Sequence, residues 1–310
     1  MTNDFIPQPT ADGSFTFTSR EFGESFHSHY GAKQESFLKF VAPTQLAGRA
    51  HQPVLRLLDI CYGLGYNTAA ALQTIWAVNP NCEVEVIGLE INPSVPQAAI
   101  AHHLFDNWDY EYTEILTQLA FEERVLSDRL KATLLIGDAR DLIRQVHQLG
   151  FQADAIFLDP FSPPQCPQLW TIEFIQQISL CLHVDGILAT YSCAAAVRAA
   201  LLATGLQIGS TPPVGRRTPG TVAAQIRGGR NAKAQFPPSP TLPLLASSTL
   251  SQEEKEHLLT RAAIPYRDPN LNDSADVIVT RRQQEQQTSL LEPTSRWRKR
   301  WLRGDESADI

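Results

Sequence analysis

The chain has no CxxC pair: its five cysteines, Cys61, Cys82, Cys166, Cys181 and Cys193, are scattered. That argues against a zinc site and a disulfide framework, and suits reduced thiols in a cytosol. No apolar run approaches the roughly 18 residues that a membrane span needs. The opening MTNDFIPQPT lacks a basic-then-apolar signal pattern. The expectation is a cytoplasmic chain with no membrane partner. Positive charge is in deficit, with a formal net charge of −7. A polyanionic partner would therefore have to be met by a local basic patch. There is no GxSxG elbow for a serine hydrolase and no internal repeat. His27 and His29 in HSH, and the pair His102-His103, lack the carboxylate or cysteine spacing that would complete a metal site, so no metal is expected.

What is present is ordinary globular composition, 43% hydrophobic and 19% charged over 310 residues, enough for a sizeable core. The first fifty residues are mixed, with an alternating FTF and a helical reading from Ala32 to Phe40. From Val54 onward apolar runs alternate with helical segments. The strands are LRLLDI (55–60), EVEVIGLE (83–90), ATLLIGD (132–138), DAIFLDPF (154–161) and GILATYS (186–192). The helices are Thr68 to Val78, Pro96 to Leu104, Ala139 to Gln148, Ile172 to Cys181 and Ala194 to Ala203. Such alternation predicts a parallel sheet covered on both faces. GLQIGS and GTVAAQI, joined by TPPVGRRTP, predict an antiparallel hairpin at one edge. A Pro/Ser-rich linker, AQFPPSPTLPLLASSTLS, leads to SQEEKEHLLTRAA, a helix opened by a capping-box pair, Ser251 and Glu254. The expected division is residues 1–50, 51–230 and 231–310: an N-terminal extension on the cofactor pocket, a catalytic domain, and a linker with a basic helical tail.

Four acids, Asp59, Glu90, Asp138 and Asp159, fall near the ends of four successive predicted strands. In an open parallel sheet the ligand lies beyond those ends. One acid there would read as a helix N-cap; four in a row point to a ligand. The turn CYGLGYN, with Tyr62 between Cys61 and Gly63, allows backbone close to that ligand through Gly63 and Gly65. It is not GxGxxG, and Asp59 just before the glycines would repel a pyrophosphate. A cationic cofactor suits it better. S-adenosyl-L-methionine fits: cationic groups near Asp59, ribose hydroxyls on Glu90, the adenine amine on Asp138 and the ring near the Ala139 amide. Asp159, followed by Pro160 and Phe161, resembles the acid-Pro-aromatic motif of amine methyltransferases. A carboxylate there can orient an amine and take its proton, while the ring excludes water.

The strings YGLGYN after LRLLDI, FLDPFSPPQCPQLWT, GILATYSCAAAVRAALLATGLQIG and the N-terminal GESFHSHYGAKQES resemble the methyltransferase part of the MnmC family. The resemblance covers most of the chain and is weakest in the linker. It implies a Rossmann-like class I methyltransferase fold, a mostly parallel seven-stranded sheet with an antiparallel edge hairpin. It also implies N-methylation of the aminomethyl group of a tRNA wobble 5-aminomethyl-(2-thio)uridine to 5-methylaminomethyl-(2-thio)uridine. With no GxGxxG and little chain beyond the sheet, a stand-alone form without the oxidase half is expected. Residue by residue, the resemblance puts Asp59, Tyr62, Gly63 and Gly65 on the methionine side, Glu90 on the ribose, Asp138 and Ala139 on adenine, and Asp159 with Phe161 beside the acceptor amine. Glu24, His27 and Glu35 match polar positions of the N-terminal block and would face substrate. Cys61 stands where the family has glycine.

Arg216 and Arg217 in the hairpin loop, and the tail RWRKRWLR with Trp297 and Trp301, are the local basic patches available to a tRNA anticodon loop. The tryptophans could equally pack on the domain. Three other readings stay open: a methyltransferase for a small-molecule amine, an aminopropyltransferase on a related fold, and a binding module that has lost its chemistry.

Overall fold

The computed structural model describes residues 5–215, 218–225 and 249–305, with side chains to Trp301. The chain opens with a two-stranded ladder, β1 (Gln8–Pro9) and β2 (Phe15–Thr16). Helix α1 (Ala32–Glu35) runs directly into a π-helical turn over Ser36–Val41, and α2 (Leu46–Arg49) follows. Then come β3 (Val54–Ile60), α3 (Tyr66–Val78), β4 (Glu83–Glu90) and α4 (Ser94–Ala101). Next are α5 (Tyr110–Glu122), β5 (Arg124–Leu126), β6 (Leu130–Ile136) and α6 (Ala139–Gln148). The second half has β7 (Ala153–Leu158), α7 (Ile172–Leu180), β8 (Leu182–Thr190), α8 (Ala195–Ala203) and the hairpin β9 (Leu206–Ser210) with β10 (Thr221–Gln225). Beyond residue 248 lie α9 (Gln252–His257), α10 (Ala275–Thr288) and α11 (Thr294–Asp305).

The main sheet has the order β5-β6-β4-β3-β7-β8-β10-β9. Its centre, β6-β4-β3-β7-β8, is parallel throughout, and β10 pairs antiparallel with both β8 and β9. The chain therefore winds outward from β3 on one side and returns to build β7 and β8 on the other. Strand order reverses between β3 and β7. The period-two pattern of β3 sends Leu55 and Leu57 into one core and Leu58 and Ile60 into the other. The first core includes α3, α5 and the N-terminal Phe17 and Phe40; the second includes α6, α7, α8 and, from the C-terminal segment, Tyr266, Leu271 and Ile278.

The structure adds to the expected elements at three places. An eighth strand, β5, lies outside the expected seven, pairing antiparallel with β6. It has three residues and buries only Val125, too short for alternation to reveal it. Helix α5 buries Tyr112, Leu116, Leu119 and Ala120, a stripe at helical spacing between two expected elements. The helix expected over Ala32–Phe40 widens instead into the π-turn, where the Ala42 N–H donates to the Phe37 carbonyl at 2.8 Å. Such turns concentrate at functional sites. The capping box forms as expected: Ser251 N–H reaches Glu254 Oε2 at 2.7 Å, and Glu254 N–H reaches Ser251 Oγ at 3.2 Å. The helix it starts is only α9, because the chain turns at Leu258. Most of the expected linker, residues 231–248, lies outside the described residues.

Candidate active site

A cavity of about 440 Å³ opens over the C-terminal strand ends where strand order reverses. Its walls come from Cys61 and Gly63 after β3, Leu89 to Ile91 at the end of β4, Gly137 to Ala139 after β6, and Asp159 to Ser162 after β7. Of the four strand-end acids, Glu90, Asp138 and Asp159 line it; Asp59 does not.

Glu90 is buried and holds the turn after β3. Its Oε2 accepts from the Gly63 N–H at 2.8 Å and its Oε1 from the Asn92 N–H at 2.9 Å. Burial raises its pKa against those backbone donors. Each oxygen keeps a lone pair for a second donor, which is what a pair of ribose hydroxyls requires. Asp138 caps α6 by accepting from the Arg140 N–H at 2.9 Å. The Arg140 guanidinium closes on the same carboxylate at 2.7 Å. Burial works to raise Asp138, but the Arg140 hydrogen bonds outweigh it and hold the carboxyl below its ordinary value. Arg140 also pairs with the fully buried Asp268 at 3.0 Å, so the C-terminal segment reaches this wall of the cavity.

Asp59 corrects the expected row of four rim acids. It is wholly buried under the turn, accepting from Thr68 Oγ1 at 2.7 Å, with Oδ1 lacking a partner. Its β-strand position turns it into the sheet–helix interface below the cavity floor. Burial, reinforced by Glu90, pushes its pKa up to about 7 against the Thr68 hydrogen bonds. Tyr62 and Gly65 also lie outside the cavity wall. The Tyr62 ring fills the space beneath the turn: a Cβ on Gly65 would come within 2.7 Å of its hydroxyl. Gly65 needs its φ of 96° to start α3 there. Cys61 adopts φ 65°, a left-handed conformation that glycine would take without strain.

Asp159 opens on the cavity and accepts from Asn67 Nδ2 at 2.9 Å. Burial raises its pKa well above the usual carboxylate range, and the nearby negative charge of Glu35 raises it further. The loop that follows is pinned on every side. Asp159 N–H donates to Ile60 O at 3.1 Å, Tyr191 OH to Pro160 O at 2.9 Å, and Trp170 Nε1 to Phe161 O at 2.8 Å. Phe161 stacks on Phe22 with centroids 4.5 Å apart. Glu24, expected to face substrate, lines the cavity and also holds this loop: its two oxygens take the Ser162 N–H and hydroxyl.

His27 and Glu35 both line the cavity. Glu35 accepts from the Ser28 N–H at 2.8 Å and from Lys39 Nζ at 2.8 Å, an ion pair formed across the π-turn. Burial works to raise Glu35, but Lys39 and His27 hold it below its ordinary value. His27 is driven down to about 4 by burial, against the pull of Glu35 and Asp12, so its ring is neutral at pH 7. Lys39, Asn67, Arg140 and Phe22 escaped the sequence reading. Only Lys39 left a trace there, its i,i+4 spacing from Glu35.

Arg216 and Arg217 lie outside the described residues. The preceding Gly215 packs against Tyr30, another residue of the cavity wall, closely enough that a Cβ would meet Tyr30 Cβ at 2.7 Å. In the tail, the tryptophans pack on α9 rather than standing free as stacking platforms. Trp297 stacks on His257 with centroids 4.1 Å apart, and Trp301 Nε1 donates to Glu256 at 3.1 Å. Among the described residues no group of three or more potential metal ligands gathers, and no helix is long and apolar enough to cross a membrane.

The residues present fit S-adenosyl-L-methionine. Carboxylates with open lone pairs face the cavity, the Gly63 turn lets backbone approach, and the buried Gln168 Oε1 in the wall awaits a donor. Fold and site together define a Rossmann-like S-adenosyl-L-methionine-dependent methyltransferase. Residues 102–226 match a family model described as an S-adenosyl-L-methionine-dependent methyltransferase. The crystal structure of MnmC2 from Aquifex aeolicus superposes with a TM-score of 0.75 at 33% identity, covering 92% of this chain and 86% of that one. The chain belongs to the MnmC2 family of methyltransferases. An uncharacterized protein of Methanocaldococcus jannaschii is 29% identical over 93% of the chain and 74% of its own length. The tRNA 5-methylaminomethyl-2-thiouridine biosynthesis bifunctional protein MnmC of Aromatoleum aromaticum is 30% identical over 66% of this chain. The match spans 32% of that bifunctional protein's length.

Proposed function

We propose that the chain N-methylates the aminomethyl group of a wobble 5-aminomethyl-(2-thio)uridine in tRNA, giving 5-methylaminomethyl-(2-thio)uridine. The observation that carries this reading is the corner at Asp159, where a carboxyl held by the Asn67 amide and an aromatic ring stacked on Phe22 face a cavity fit for the methyl donor. The name of the bifunctional relatives supports the same chemistry on the same class of RNA.

Bound S-adenosyl-L-methionine supplies an electrophilic methyl group on a sulfonium. Glu90 is the acceptor for its ribose hydroxyls; Asp138 and the Ala139 N–H are the groups for its adenine. Gly63 keeps the wall open for its amino-acid end, while Asp59 contributes negative charge from beneath the floor. Asp159 aligns the acceptor amine and holds the proton it must lose before its lone pair can attack in line. Phe161, backed by Phe22, keeps water from that nitrogen. The RNA would approach over Tyr30 and the hairpin loop, with Arg216 and Arg217 on phosphates. The five free thiols and the tRNA substrate suit a cytoplasmic enzyme.

Mass spectrometry of tRNA nucleosides from a strain lacking the gene tests the proposal. Aminomethyluridine accumulates and methylaminomethyluridine disappears; the intact gene restores the product and an Asp159→Ala copy does not. Unchanged nucleosides would overturn it and favour a small-molecule amine.

A further inference from the structure

Phe22, Phe26 and Tyr191 line the cavity and are engaged within the protein. The two phenylalanines pack on Phe161 with centroids 4.5 and 5.1 Å apart, and Tyr191 gives its hydroxyl to the Pro160 carbonyl. Tyr30 lines the same cavity but is turned outward, with 59% of its surface exposed, which places it at the mouth. The backbone beneath it is tightly held. Gly31 N–H donates to Ser28 O at 3.2 Å and Ala11 N–H to His29 O at 2.9 Å. Gly31 takes a φ of 151°, and a Cβ there would meet the Asp12 carboxylate at 2.5 Å. That carboxylate is itself fixed by the Ser14 N–H at 3.0 Å and the Gln34 N–H at 2.8 Å. On the hairpin side, Gly215 lies against the root of the ring with no room for a side chain. Arg216 and Arg217 follow it directly in the sequence.

We propose that Tyr30 is a stacking platform for the uracil ring of the wobble nucleotide, extruded from its loop against the cavity mouth. This deepens the RNA reading given above and rests on it. The aminomethyl arm is short, so its nitrogen reaches the corner at Asp159 only if the pyrimidine ring itself enters the mouth. A base taken out of its stack loses the contacts of its neighbours, and an aromatic ring waiting at the mouth replaces them. A ring on a stiff turn is already in place, so little order has to be created on binding. Stacking accepts the π-face of any base and does not read its edges. The platform therefore holds the ring, and recognition of the base is left to groups deeper in the cavity. The arginines after Gly215 suit the flanking phosphates, whose attraction is electrostatic and independent of the base. Tyr30 and the hairpin loop thus divide the nucleotide between them, ring to one and phosphates to the other.

The test uses the full chain saturated with S-adenosylhomocysteine and two fluorescently labelled RNA anticodon stem-loops, one with uridine at the wobble position and one abasic there. Fluorescence anisotropy reads both affinities. The wild type prefers the uridine hairpin by roughly 5- to 100-fold, the range for one stacked base. Tyr30→Ala loses that preference and binds both hairpins as the wild type binds the abasic one; Tyr30→Trp keeps it. S-adenosylhomocysteine affinity stays within about twofold in both variants, and the slope of affinity against salt is unchanged, because no phosphate contact is removed. The wild-type comparison needs no variant and stands even if a substitution disturbs the turn. Equal wild-type affinity for the two hairpins overturns the platform and leaves the RNA substrate standing. So does a preference that survives Tyr30→Ala, one that appears only when a neighbouring nucleotide is made abasic, or a loss accompanied by a shallower salt slope. A wild type that binds neither hairpin overturns the RNA substrate and the platform together.

Discussion

At the scale of single residues, the carboxyl groups of this site differ in what surrounds them more than in where they stand. Arg140 holds Asp138 low, backbone N–H groups steady Glu90, and burial raises Asp159 and Asp59. Asp159→Ala therefore lowers kcat by about 10²–10⁴, the range for a lost acid–base group, and leaves cofactor affinity within a few-fold. Glu90→Ala does the reverse: calorimetry should show cofactor binding weakened by about 1–3 kcal/mol with turnover at saturation largely kept. Asp59 gives a pH signature. Its folded pKa of about 7 lies above the ordinary 3.8, so the folded state binds the extra proton. Its contribution to stability is complete below the ordinary value and is lost as pH rises through about 7. His27, driven down to about 4, slopes the opposite way over part of that window, so the comparison must be with a variant. Denaturation of Asp59→Asn against the wild type without cofactor should show the wild type losing on the order of a few kcal/mol relative to the variant between pH 4 and 8. The four acids and Phe161 were legible in the sequence because strand ends are. The charge state of each acid was not, since it turns on burial and on contacts such as Gly63 with Glu90 and Asn67 with Asp159, which run between residues far apart in the chain.

The turn from β3 to α3 decides the next scale. Tyr62 N–H donates to Leu89 O at 2.9 Å, which folds the ring under the glycines. A side chain on Gly65 would strike the Tyr62 hydroxyl and approach Leu116 Cδ2 at 3.2 Å. Gly65→Ala should cost about 1–3 kcal/mol from the left-handed backbone and the overlap, read as a lower midpoint in urea, and should weaken cofactor binding with it. Cys61→Gly is the contrasting case. It removes a left-handed cysteine, a strain of about 1–2 kcal/mol, while loosening the unfolded chain by a comparable amount. Its midpoint should stay close to the wild type; a large loss would show that the thiol itself matters. The glycine spacing announced a ligand-holding turn. It could not announce that a tyrosine ring fills the inside, because that depends on where β4 lies.

For the whole molecule, the joint between the C-terminal segment and the cofactor wall matters most. Arg140 joins Asp138 to Asp268 and to the Asp273 carbonyl. Glu173 takes Arg267 at 2.7 Å and the Asp268 N–H at 2.8 Å, and Ile172 N–H donates to Tyr266 O at 3.1 Å. Arg140→Ala leaves Asp268 buried without its counter-charge and should cost about 3–5 kcal/mol. Because the same guanidinium steadies Asp138, cofactor affinity should fall too, so thermal shifts with and without S-adenosyl-L-methionine should differ from those of the wild type. At the opposite end, Phe22, Glu24 and His27 bring the N-terminal segment over the same cavity. Residues from both flanks of the sheet thus complete one site.

The linear order of residues by itself determined the alternating elements, the strand-end acids and the acid-Pro-aromatic string, since each depends on spacing along a few residues and on a periodicity of two or 3.6. Only the tertiary structure decided which acids reach the cavity, that Glu24 secures a loop, that Tyr62 lies under the floor, and that Lys39 sits beneath Glu35. Those outcomes turn on burial and on distances across the sheet, and a charge acquires its meaning only from the neighbours that folding brings to it.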